Sequence, residues 1–161
     1  MIRAHIQYQG LESLHAELGH IDDALNDLSA LAPELSAIMV SDNAEARSAG
    51  LDQRSIPFIT LAPSTQKRRE RQGRLGPPLA PDGPSSPIIT DYTVEVVENV
   101  PGRLTLRGHW PNTPWVVYHQ DNADERTKLP IRDPSGITPG GQEKVGEVWD
   151  RFVDMLASGR S

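Results

Sequence analysis

Between Leu11 and Leu28 six aliphatic side chains (Leu11, Leu14, Leu18, Ile21, Leu25 and Leu28) recur at spacings of 3, 4, 3, 4 and 3. That rhythm stacks all six on one face of an α-helix, because residues three and four apart share a face. The positions between them are largely Glu, Asp, His and Asn. Each buried Leu or Ile stabilises a fold by roughly 1.5–3 kcal/mol, so this stripe is expected at the centre of the core. The spacing also suits a coiled coil, but the stripe covers fewer than four heptads and Gly19 interrupts it. Packing on a sheet is therefore the expectation.

The neighbouring segments supply that sheet. Ile2, Ala4, Ile6 and Tyr8 alternate with polar residues, the period-two pattern of a half-buried strand, until Gly10 ends it. Pro33 breaks or kinks the long helix, and Leu35, Ile38 and Met39 continue as a second helix closed by Gly50. Pro63-Ser64-Thr65 starts a short basic helix that runs to about Arg71 and stops at Gly73. Residues 73–87 carry Pro77, Pro78, Pro81, Gly83, Pro84 and Pro87 and read as an extended, flexible loop that orders on assembly. Three strand candidates follow, at 88–97 (Ile88, Thr90, Tyr92, Val94 and Val96 on one face), 103–109 and 115–119. Thr138 then caps a closing helix with Pro139 at its first position, and Val145, Val148, Trp149, Phe152, Val153 and Leu156 form its stripe. The expected fold class is α+β: a small, mostly antiparallel sheet of about four strands, packed by an N-terminal and a C-terminal helix, with an extended Pro/Gly loop.

The 161 residues suffice for one domain with a real core, so residues 1–161 are read as a single unit. The sequence has no cysteine, which removes disulfide frameworks and thiolate metal sites. The start, Met1-Ile2-Arg3-Ala4-His5, has no apolar run of a secretion signal, and no stretch approaches the roughly 18 apolar residues of a membrane span. A soluble protein without a membrane partner is expected. Net charge is −6 but polarised: residues 1–57 hold nine acidic and three basic side chains, whereas residues 58–86 hold five basic and two acidic ones. Such polarity favours head-to-tail or stacked association.

Candidate chemistry is sparse. His119 with Asp121, Asp124 and Glu125 lacks the helical i, i+4 geometry of a metal site, and His109 lies beyond a Pro-containing turn. No phosphate loop, nucleophile elbow or HExxH is present, so no enzyme, cofactor or metal is expected. The basic segment Lys67, Arg68, Arg69, Arg71 and Arg74 can neutralise phosphates or dock on the acidic surface of a neighbouring subunit. No aromatic residue is interleaved with it to stack bases. Of the three tryptophans, Trp149 belongs to the helix stripe and is expected in the core. Trp110 and Trp115 flank a Pro-rich turn, where they either serve an interface or plug the sheet end.

Several short motifs resemble the phage virion-morphogenesis or tail-completion family, and the chain is also similar to small neck proteins of long-tailed phages. They are the opening Ile2-x-x-x-Ile6-x-Tyr8-x-Gly10-Leu11-Glu12-x-Leu14, the segment Leu61-Ala62-Pro63-Ser64-Thr65 with Arg69, the triplet Tyr118-His119-Gln120, and Leu129-Pro130-Ile131-Arg132-Asp133. The family's T-G-x-L tract is replaced here by residues 82–87, and the aromatic that often follows its P-x-R-P is absent. The resemblance implies a structural virion protein of the head–tail joint, made in the host cytoplasm and located in the neck. It implies a ring, commonly six-fold, whose partners are the head connector or stopper and the tail terminator or tail tube. Subunit contacts are then expected at Trp110, Trp115, Tyr118, His119, Gln120 and Arg132, with subunit or packaged-DNA contacts at the basic segment. A nucleic-acid-binding accessory module using residues 65–74 is the alternative, and a tail-terminator-like role is a neighbouring one.

Overall fold

The computed structural model describes residues 11–116 and 134–158, the side chains of 11–14 excepted. The strand expected at 2–8, residues 117–119 of the last strand candidate and the polar stretch after it lie outside the described residues. The fold is α+β. In chain order α1 is Leu11–Asn26, α2 Ala32–Ser48, α3 Pro63–Arg71, α4 the single turn Pro87–Thr90, β1 Thr93–Val100, β2 Arg103–His109 and α5 Pro139–Ala157.

The centre of the packing is α2, which touches α5, α4 and both strands. Its start is set by Pro33 in the first turn, where a missing N–H costs nothing. Its end is a Schellman motif: Leu51 N–H bonds Ala46 O and Gly50 N–H bonds Arg47 O, with Gly50 at φ 73°. The same motif ends α3, where Arg74 N–H bonds Arg69 O and Gly73, at φ 69°, bonds Glu70 O. Glycine is suited to both positions because a Cβ disfavours the left-handed region.

The α1 stripe is not the core centre. Among the described side chains of the stripe, Leu18 is 55% exposed, Ile21 and Leu25 are half-buried, and only Leu28, just beyond the helix, is buried. The reason is where α1 is anchored. Gly102 N–H donates to Leu25 O, Asn99 Nδ2 donates to Asp27 Oδ1, and Leu28 N–H donates to Asn99 Oδ1. These contacts gather at its C-terminal end, while residues 15–20 are all exposed.

Among the described residues the sheet has two strands, not about four. β1 and β2 pair antiparallel across the turn at Pro101-Gly102, from Thr93↔His109 to Val100↔Arg103, with a bulge between Val96 and Glu98. Residues 88–90 are helical rather than extended, because Pro87 presets the first helical φ and Thr90 N–H and Ile89 N–H both close on Ser86 O. Residues 114–116 form a 3-10 turn behind Pro114, not a strand. On the open face of the hairpin, Arg107 reaches Glu95 and Arg103 reaches Glu98 at 2.7 Å. The bond from Arg107 holds the Glu95 carboxyl below its ordinary range.

The Pro/Gly tract is folded back on itself rather than extended. Gly76 N–H bonds Pro81 O, Ala80 N–H bonds Pro77 O, and a 3-10 turn spans Gly83–Ser85. Leu79 and Ala80 thereby enter a core cluster with Phe58, Ile88 and Val116. A Cβ at Gly76 would collide with the carbonyl oxygens of Ala80 and Pro81. Because that obstacle is backbone, Gly76→Ala is expected to cost about 2–4 kcal/mol, measurable as a lower urea midpoint.

The closing helix starts as expected, with Thr138 Oγ1 accepting from Gly141 N–H at 3.1 Å. Val148 and Phe152 are buried against the rest of the fold. Trp149, expected in the core, is instead 44% exposed and Val153 45%. The burying side of α5 is that of Gly141, Val148 and Phe152, which leaves Trp149 on its flank, its ring 5.6 Å from that of Phe152.

Candidate interaction surface

Helix α3 divides the basic segment into two sets. Thr65 and Arg69, one turn apart, are half-buried, whereas Lys67, Arg68 and Arg71 are exposed. Arg69 donates from Nη1 to Pro77 O at 3.3 Å and from Nη2 to Pro78 O at 2.7 Å. It clamps the Pro tract to α3, and burial, followed by the nearby Arg74 and Arg68, pulls its pKa down from the usual arginine value. Arg74 donates from Nε and Nη2 to the two oxygens of Asp82, both at 2.7 Å. That bidentate pair raises the Arg74 pKa and holds the Asp82 carboxyl below its ordinary range.

Two of the five cations thus stabilise the chain's own loop, and three face solvent on the other side of α3. The sequence signal for Arg69 lies in the prolines. Pro77 and Pro78 bring carbonyl acceptors without an N–H of their own to complete a ladder, and a nearby guanidinium fork satisfies two at once.

Beside the inner face of α3 lies a cleft of about 330 Å3, lined by residues that include Leu61, Gln66, Arg69, Glu70, Arg74 and Leu75. Leu75 is 76% exposed at this cleft. Leu75 and the cleft were not among the residues that sequence pattern singles out.

Trp110 and Trp115 are half-buried and pack against the core cluster of Phe58, Leu79, Ala80, Ile88 and Val116. Trp110 Nε1–H donates to Ile88 O at 2.8 Å, and its ring stands 4.9 Å from that of Tyr92. Both tryptophans thus keep one part against the chain's own core cluster and another part open to solvent. Next to them, Asp91 accepts from Thr113 Oγ1 and from Asn112 N–H and Nδ2–H, which holds its carboxyl below the ordinary range. Tyr118, His119, Gln120 and Arg132 lie outside the described residues, as do Asp121, Asp124 and Glu125. Among the described residues no three His, Asp or Glu side chains converge as a metal site, and no helix is long and apolar enough to cross a membrane.

No protein-family model matches this chain, and neither does any curated protein or solved structure.

Proposed function

We propose that this chain is a structural virion protein of a phage head–tail joint, a tail-completion or neck protein that assembles as a ring and lets a tail join a DNA-filled head. The sequence resemblance described above motivates the reading. The observation that carries it is the pair of opposite, uncovered surfaces on one chain. Helix α1 exposes Leu18 among Glu17, Asp22 and Asp23, while α3 exposes Lys67, Arg68 and Arg71. Two unlike surfaces on one subunit suit a heterologous contact, which repeats from copy to copy and ends only when a ring closes. In the neck such a ring would lie between the head connector or stopper and the tail terminator or tube.

The test is to interrupt the gene in a phage that carries it and image the lysate by negative stain. Filled heads and complete tails should accumulate apart, and purified protein should join them. Normal infectious particles without the gene would remove this reading.

The exposure of Lys67, Arg68 and Arg71 on one side of α3 favours a second reading, an accessory module bound to nucleic acid. Each phosphate neutralised lowers log K by about 0.9 per unit of log salt, so three contacts give a slope of about −2.7. A duplex-binding titration from 50 to 200 mM salt should then weaken about 40-fold for that module. The neck reading expects no comparable binding by the free subunit.

A further inference from the structure

We infer that the outer flank of α5 is a docking surface for a basic amphipathic helix of another protein. The inference goes beyond the neck reading and does not rest on it.

Gln142, Gly146, Trp149 and Val153 follow one another at spacings of 4, 3 and 4. On α5 that spacing lines them up as one seam, the arrangement along which a second helix packs. The seam carries no charge and all four residues are exposed, Trp149 by 44% and Val153 by 45%. A Cβ on Gly146 would meet no atom within 4 Å. At 100° per residue the seam is centred about 110° round the helix from the buried side of Gly141, Val148 and Phe152.

Glu143, Glu147, Asp150 and Asp154 repeat the 4, 3, 4 spacing one residue further on, so they form a ridge beside the seam. All four are exposed, and among the described residues none of these carboxylates has a cation or hydrogen-bond donor as partner. The opposite flank of α5 differs. There Lys144 Nζ stands 3.6 Å from Glu45 and Arg151 reaches Glu34, so α2 already compensates both cations. The open side of the helix is thus an apolar seam with an uncompensated acidic border.

Charge selects the occupant. A second α5 laid on the seam would bring two acidic ridges together, which costs energy. Helix α3 of a second copy exposes Lys67, Arg68 and Arg71, but it has no Leu, Ile, Val, Met or aromatic residue to fill the seam. Anionic lipid or nucleic acid would meet like charge. A helix with Leu, Ile or Phe at the matching spacing and Lys or Arg along one border satisfies both the seam and the ridge. From Gln142 to Val153 the seam is about 17 Å long, so about 12 residues of partner helix cover it.

The test uses the full chain and a fluorescein-labelled peptide, two repeats of Leu-Lys-Lys-Leu-Leu-Lys-Leu, read by anisotropy at 150 mM salt. A scrambled peptide of the same composition is the control. The amphipathic peptide should bind saturably, and the scrambled one about tenfold more weakly or less. Glu147→Lys with Asp150→Lys should raise the Kd about tenfold or more. Glu17→Lys with Asp22→Lys changes the net charge equally on α1 and should leave the Kd within about twofold. Trp149→Ala should raise it about five- to tenfold, with far-UV circular dichroism checking the fold of every variant.

No saturable binding, equal binding of the scrambled peptide, or equal effects of the α5 and α1 reversals would each overturn the inference. A wild type that dimerises in sedimentation velocity and loses the dimer on Trp149→Ala would also overturn it, by giving the seam to a second copy.

Discussion

Arg47→Ala is expected to lower stability by about 4 kcal/mol and the Tm by on the order of 10 °C. Arg47 has 0% exposure, although it stands on the last turn of α2. Its Nε–H donates to Asn43 Oδ1 at 3.3 Å, its Nη1 donates to Leu51 O, and its guanidinium lies 5.8 Å from the centre of the Phe58 ring. Asn43 in turn donates from Nδ2 to Ile88 O at 3.2 Å. One buried chain of bonds therefore links α4, α2 and the turn after Gly50. Alanine would leave a cavity, an acceptor carbonyl without its donor and Phe58 without its cation, three losses of 1 kcal/mol or more in typical cases.

Arg47→Met separates these contributions. It keeps much of the volume and removes the donors, so a loss of about half the alanine value is expected. Guanidinium denaturation of the three proteins gives both differences. An alanine variant within about 1 kcal/mol of wild type would mean that the guanidinium does not tie these elements together.

That network also marks where sequence pattern stops being readable. Periodicity and caps located α1, α2, α3, β2 and the Thr138 start of α5, because each is specified by neighbouring residues. The burial of α2 is different. Its most buried positions include Asp42, Asn43, Ala46 and Arg47, a mostly polar set that reads as a solvated face. Polar residues enter a core when partners far along the chain satisfy them, and no local pattern encodes those partners. Conversely, the regular Leu stripe of α1 reads as core, yet a stripe says only that a face wants covering. It does not say by which chain.

The basic segment shows the same limit at the candidate surface. Five cations in eight positions read as one cluster, from Lys67 to Arg74. Helical geometry turns Arg69 inward, and the fold-back of the Pro tract brings Pro77, Pro78 and Asp82 to Arg69 and Arg74. Proline counts exclude helix and strand, but they do not exclude a tight, buried path. Leu79 and Ala80 reach the core along such a path. Trp149 errs the other way, since membership of a wide stripe does not fix which edge of it meets the partner helix.

Asp42→Ala carries the second large expected effect, a loss of about 3 kcal/mol. The Asp42 side chain is buried at the start of α5. Its Oδ2 accepts from Thr138 N–H at 2.9 Å, and its Oδ1 accepts from Thr138 Oγ1–H. Thr138 Oγ1 accepts from Gly141 N–H, so carboxylate and hydroxyl together satisfy donors that a helix N-terminus otherwise leaves open. A negative charge there also meets the positive end of the helix dipole.

Asp42→Asn keeps one carbonyl oxygen but turns an acceptor into an amide donor facing donors, and should lose roughly half as much. Thr138→Ala should cost about 1–2 kcal/mol as a lost cap. Because the two residues serve the same helix end, the double variant should lose less than the sum by about 1 kcal/mol. Additive losses would mean that Asp42 acts through its packing and not through the cap. Since α5 covers α2 through this junction, a coupled loss would place the docking of the two helices under the control of one carboxylate on α2.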